Sequence, residues 1–164
     1  MNEREKKLLD IAISIIELNP DINPRITGSL LLALKGINKR REAQDVDFVC
    51  DDLCETESGY PIMPKGFKEV GMDGRRSCVE AIQFINEDGL KIEFMQNCET
   101  NDDGDNVIID SDYIVPCGKL YIMILRKQTY IVRDLSEESK KKHSDDLEFL
   151  FANNDNAIFL PAKK

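Results

Sequence analysis

The sequence predicts an α/β fold, a small mixed β-sheet flanked by helices, and three observations carry that expectation. Asp45-Val46-Asp47-Phe48-Val49 alternates polar and apolar residues with the period of a strand. Two further β-prone runs, 77–85 and 90–96, are joined by Asn86-Glu87-Asp88-Gly89, whose Asp-Gly favours a tight turn. Both ends of the chain place apolar residues at helical spacing. With 164 residues there is room for one domain with a real core, and 1–164 is read as a single domain.

In chain order, residues 2–18 open with Asn2 as N-cap and Glu5 at the acid position of a capping box. Leu8, Leu9, Ile11, Ala12, Ile15, Ile16 and Leu18 then give a wide apolar face, so this helix is read as scaffold. Asn19-Pro20 and Asn23-Pro24 end it and lead extended chain into Gly28-Ser29. Leu30-Leu31-Leu32-Ala33-Leu34 has good helix propensity and stops at Gly36. The loop 38–44 holds Lys39, Arg40 and Arg41; it suits a solvated basic loop or, alternatively, a triphosphate or acceptor contact.

Residues 51–74 are rich in Gly, Pro and charge and read as an irregular connection, with one turn of helix near 64–70. In the strand 90–96, Ile92 and Phe94 face one way and Lys91, Glu93 and Met95 the other. Residues 98–106 read as an acidic loop in which Asp102, Asp103 and Asp105 are solvated charge, without the terminal Glu of a calcium-binding EF-hand loop. The stretch 116–132 is apolar on most sides of 117–127 and suits a buried helix or strand, its length favouring helix. Residues 136–151 form the last helix, with Ser136 as N-cap, Glu137 and Glu138 in the first turn, and Leu147, Leu150 and Phe151 as the inward stripe. The single histidine, His143, is read as a surface residue among lysines.

Composition excludes several classes. No run approaches the roughly 20 apolar residues that span a bilayer. The five cysteines form no C-x-x-C pair and have no histidine close by, which argues for reduced thiols over a zinc site. A soluble, unprocessed, cytoplasmic protein is expected. The formal charge of −9 argues against an extended grip on nucleic acid, which needs several phosphates neutralised by Lys and Arg, but leaves a single nucleotide open.

The chemistry concentrates in 26–50. A Gly28-Ser29 turn would aim backbone N–H groups and the Ser29 hydroxyl outward, which suits a phosphate oxygen. Asp45 and Asp47, side by side on one face of a strand, make a site for a hard cation. A D-x-D triplet alone is not specific, since Asp103/Asp105 and Asp110/Asp112 repeat it in loop-like sequence. The signal is the ordered set: apolar residue, Gly-Ser, apolar helix, basic loop, then D-x-D inside a strand.

In that ordered set the chain resembles the nucleotidyltransferase superfamily with the DNA polymerase beta type of catalytic core. The likeness is close over 26–49 and extends to 90–95, where Glu93 matches a third carboxylate that the family more often supplies as Asp. Lys142-His143-Ser144-Asp145-Asp146-Leu147-Glu148-Phe149-Leu150 also resembles the closing helix of small nucleotidyltransferases of the abortive-infection toxin type. The resemblance implies transfer of an NMP group from an NTP to a hydroxyl acceptor, with release of pyrophosphate. It further implies two magnesium ions held by Asp45, Asp47 and Glu93, and β/γ-phosphates bound by Gly28 and Ser29. Lys127 would then reach the phosphates from the end of a core helix, or else satisfy helix-end carbonyls. The acceptor stays open between a small molecule, an RNA end and a protein. The alternatives are a nucleotidyltransferase-fold module that binds or regulates without catalysing, and a generic α/β interaction domain in which the acidic pattern is coincidental.

Overall fold

The structure is a computed structural model that describes residues 1–54, 59–75, 78–97, 102–110, 112–132 and 136–161. The first helix, α1 (Glu3–Leu18), starts at the expected capping box: Asn2 Oδ1 accepts the Glu5 N–H at 2.8 Å and the Glu5 carboxylate accepts the Asn2 N–H at 3.2 Å. Leu8, Leu9, Ala12 and Ile15 are buried and Ile11 and Ile16 pack against the core partly buried, so of the expected apolar face only Leu18, 41% exposed, departs. Glu5 itself is buried, because its carboxylate also accepts the Ala43 N–H at 3.2 Å and pairs with Lys39 at 2.7 Å. A helix cap thereby also anchors the basic loop.

The chain continues through β1 (Arg25–Thr27), α2 (Gly28–Leu34), β2 (Val46–Cys50), β3 (Lys68–Arg75), β4 (Cys78–Ile85), β5 (Lys91–Gln96), β6 (Asp105–Ile109), β7 (Tyr113–Cys117), α3 (Leu120–Val132) and α4 (Glu137–Asn153). The seven strands form one mixed sheet in the order β3-β4-β5-β2-β1-β7-β6. The expected hairpin is β4–β5, turning at Gly89 with φ +80°. Strand β2 runs parallel to β5 and antiparallel to β1. Alternation sends Val46, Phe48, Ile92 and Phe94 into the core, where the Phe48 and Phe94 rings stack at 5.2 Å and Phe84 meets Phe94 edge-on at 5.8 Å. The carboxylate-bearing strands are therefore the middle of the sheet, and not an edge of it.

Several expectations are corrected. The helical turn near 64–70 is instead the start of β3, an edge strand antiparallel to β4, whose register shifts at Glu69/Gly71 and Asp73/Gly74 blur its alternation. Residues 55–58 of that connection and 98–101 of the acidic loop lie outside the described residues. Asp105 opens β6, which pairs with β7, and Pro116 and Cys117 end β7, so the helix expected over 116–132 begins only at Leu120. The hairpin β6–β7 escapes a pattern reading because Ile108 and Ile114, register partners, are both exposed, and because Pro116 sits within β7. In α4 the Ser136 cap is present, accepting the Ser139 N–H at 3.2 Å, and Leu147 and Leu150 are buried; Phe151 is 36% exposed and packs on Phe159.

Asp102 is the sharpest correction, for it is fully buried. Its carboxylate accepts the Gly104 and Lys119 N–H groups at 3.0 Å, which satisfies the amide just before α3. Its carbonyl accepts from Arg25 Nη2 at 2.7 Å and from Asn97. Arg25, with a side chain 4% exposed, also grips Asp51 through two contacts of 3.0 and 3.1 Å. Asp103, expected to be solvated, is exposed and pairs with Lys119; Asp105 pairs with Lys35 at 2.8 Å. No helix among the described residues is long and apolar enough to cross a membrane.

Candidate active site

Strand β2 puts Asp47 in register with Thr27 of β1 on one side and with Glu93 of β5 on the other. Register partners share a face of the sheet, so Asp47 and Glu93 stand side by side, opposite the core face of Phe48 and Phe94. Glu93 is fixed in turn by its β4 partner Gln83, whose side-chain amide donates to the Glu93 carboxylate. Asp45 lies just before β2, half-buried. Gly28 opens α2 with φ +67°, a conformation that glycine adopts freely, and a Cβ there would overlap Oδ2 of Asp47. The glycine thus lets the Asp47 carboxylate lie directly against the start of α2.

Charge at this point is unbalanced. Burial pushes the Asp47 carboxyl up, Glu93 and Asp45 push it further, and the opposing pull of Lys127 and Lys142 leaves it at about 7. Lys127 on α3 has a side chain only 13% exposed, and burial draws its pKa below the ordinary lysine value against the attraction of Asp146 and Asp47. Beside it a small cleft is lined by Ser29, Lys39, Arg40, Arg41, Lys127 and Asp146, floored by Leu32 and Leu150. The loop cations are not freely solvated: Lys39 pairs with Glu5, while Arg40 Nε and Arg41 Nη2 reach Asp146 at 3.0 and 2.8 Å. Lys127 meets the same carboxylate at 3.6 Å.

No protein-family model matches the sequence, and no curated protein matches it. The fold does have solved counterparts. An antigenic nucleotidyltransferase-like protein from Paracoccidioides brasiliensis superposes with a TM-score of 0.50 at 15% identity, over 90% of this chain and 75% of that one. The fold is nucleotidyltransferase-like. A protein from H. pylori described as a "putative nucleotidyltransferase" gives 0.49 at 16% identity, over 92% of this chain and 69% of that one.

On this nucleotidyltransferase-like fold, the sequence-nominated residues fall together: Gly28, Ser29, Asp45, Asp47, Glu93 and Lys127 all border one region between α2, the β2–β5 pair and α3. Three carboxylates offer the oxygen donors a hard divalent cation takes, and the uncompensated charge on Asp47 would be relieved by one. Among the described residues, no three metal-ligating side chains close into a ready-made cage. In donor chemistry the set fits magnesium, with Asp47 and Glu93 as its centre.

Two residues were not nominated. Asp146 gathers Lys127, Arg40 and Arg41, and although burial pushes its carboxyl up, these three cations hold it below the ordinary value. Its only sequence signal is an acid two turns before the end of a helix whose neighbouring face is apolar. His143, read as a surface residue, is half-buried, its ring 5.1 Å from that of Tyr130; burial, with Lys127 and Lys142 nearby, pushes its pKa down to about 4.

Proposed function

We propose that this chain is a metal-dependent nucleotidyltransferase that moves an NMP group from an NTP to a hydroxyl acceptor and releases pyrophosphate. The observation that carries the reading is the Asp47–Glu93 pair: two adjacent carboxylates whose charge Lys127 and Lys142 offset only in part among the described residues, beside a cleft lined by Lys39, Arg40, Arg41 and Lys127. Anionic ligands and cationic side chains meeting at one point are what a triphosphate with its metal requires.

Asp45, Asp47 and Glu93 would hold magnesium, which supplies Lewis-acid stabilisation and a lowered pKa for the acceptor hydroxyl. Ser29 and Lys127, on the cleft wall, orient the phosphates, and Gly28 leaves the Asp47 carboxylate room beside the helix start. Asp146 acts through others: it aims Arg40, Arg41 and Lys127 into the cleft. Glu93, held by Gln83, would also help take the acceptor proton. The formal charge of −9 favours an acceptor recognised locally over an extended nucleic acid.

Transfer of label from α-labelled ribonucleoside triphosphates, assayed with magnesium, tests the reading. Asp47→Asn removes charge at nearly constant volume and is expected to abolish transfer with the fold intact; full transfer by that variant would refute the mechanism. The second reading, a module that binds nucleotide without catalysis, is favoured by the long spacing between Ser29 and Asp45 and by Glu93 standing where the resemblance more often has Asp. It predicts magnesium-dependent nucleotide binding with no pyrophosphate release from the wild type.

A further inference from the structure

Helices α3 and α4 meet through two successive rungs. The charged rung is Lys127 with Asp146 at 3.6 Å, and it belongs to the cation-lined cleft. The next rung is aromatic: Tyr130, three residues on, packs its ring 5.1 Å from that of His143, three residues before Asp146. Residues three apart on a helix share a face about 5–6 Å apart, so the aromatic rung directly extends the charged one. Beneath it lies Met95, whose Sδ accepts from the Tyr130 hydroxyl at 3.6 Å. Met95 shares a strand face with Glu93, two residues earlier on β5. The surface therefore passes, within one helical turn, from carboxylates and cations to a flat, soft group of Tyr, His and Met. Among the described residues, His143 Nδ1 is buried there without a hydrogen-bond partner.

A nucleotide has this same polarity, a polyanion at one end and an uncharged heteroaromatic plane at the other. Resting on the nucleotide reading above, we propose that the Tyr130–His143 rung with Met95 is the nucleobase subsite. The base stacks against the Tyr130 ring, with Met95 as a polarisable neighbour, and His143, beside that ring, turns Nδ1 to the base edge as a hydrogen-bond partner. The triphosphate then extends back past Lys127 toward Ser29.

The test measures the dissociation constants of the four ribonucleoside triphosphates and of inorganic triphosphate, each with magnesium, in wild type, Tyr130→Ala, Tyr130→Phe and His143→Gln. Tyr130→Ala is expected to weaken nucleotides about tenfold, in line with the loss of one base–aromatic stack, and to leave inorganic triphosphate unchanged. Tyr130→Phe keeps the ring and should bind as wild type; His143→Gln should narrow the differences among the four bases. Equal weakening of nucleotides and inorganic triphosphate, or no weakening of either, overturns the subsite while the nucleotide reading stands. Failure of wild type to bind any of them overturns both. Where Tyr130→Ala does not fold, His143→Gln decides alone, and unaltered base preference in it counts against the proposal.

Discussion

Asp47 and Asp51 lie on and just beyond the same strand, yet their carboxyls are driven in opposite directions. Asp51 is held down at about 2, first by its hydrogen bonds to Arg25 and then by Asn23 and Asn97, which outweigh its partial burial. Asp47 is pushed up to about 7 by burial and by Glu93 and Asp45. Around Arg25 the cation, Asp51, Asn97 and the buried Asp102 bond to one another through both Arg25 Nη atoms, with Arg25 Nε left without a hydrogen-bond partner among the described residues, and the cluster ties β1 to the chain before β6 and to the start of α3. At Asp47, among the described residues, Lys127 and Lys142 only partly offset burial and the neighbouring carboxylates. Paired charge of the Arg25 kind builds scaffold, whereas a carboxyl that the protein only partly offsets is a candidate position for a ligand.

Breaking the satisfied cluster should have the largest effect on stability. Arg25→Met leaves the Asp102 carbonyl and the Asp51 carboxylate short of a donor. It is expected to cost about 3 kcal/mol, discounted for an Asp51 side chain that is 41% exposed, or roughly 6–12 °C in melting temperature. A loss below about 1 kcal/mol in denaturant titration would remove the scaffold role.

The pH profile sharpens the contrast. Asp47 has a folded pKa raised from 3.8 to about 7, so the metal-free protein loses stability as pH rises from about 4 to about 7. Asp51 behaves oppositely: its contribution is present above the unfolded carboxylate value of 3.8 and is lost as pH falls toward about 2. His143, pushed from 6.5 down to about 4, also loses stability on acidification and so opposes Asp47 in the same window. The difference between wild type and Asp47→Asn, with His143 constant, isolates the Asp47 contribution. In metal-free buffer at pH 8, Asp47→Asn should be more stable than wild type, by roughly 4 kcal/mol at most, since the rise from 3.8 to about 7 is about three pKa units at about 1.4 kcal/mol each. An identical melting temperature in both proteins across the window would show that Asp47 carries no such penalty.

What the sequence displays is what local pattern encodes. The Asn2–Glu5 capping box, the Val46-Asp47-Phe48 alternation, the Asp-Gly hairpin and the Ser136 cap each depend on residues close in the chain, and each forms, with Asp45 just outside the strand. The strands β3, β6 and β7 were missed because they lie toward the ends of the sheet, where one-sided burial and hence alternation fade. Asp102 looked solvated because its burial depends on Arg25, 77 residues away. Asp146 looked like an ordinary helix acid because its partner Arg40 is 106 residues away. Among the site residues, Gly28, Ser29, Asp45, Asp47 and Glu93 were legible as an ordered motif, whereas the cations that line the cleft could be listed but not assigned until the fold brought Asp146 among them.

The most direct measurement is the melting temperature of wild type and of Asp45→Asn/Asp47→Asn with magnesium and each ribonucleoside triphosphate, separately and together. A nucleotide at 100 times its dissociation constant should add about 2.7 kcal/mol, and a shift that requires magnesium, appears with nucleotide and vanishes in the double variant is expected. A shift of equal size in the double variant, or none in the wild type with any nucleotide, would contradict a metal–nucleotide site at Asp47 and Glu93.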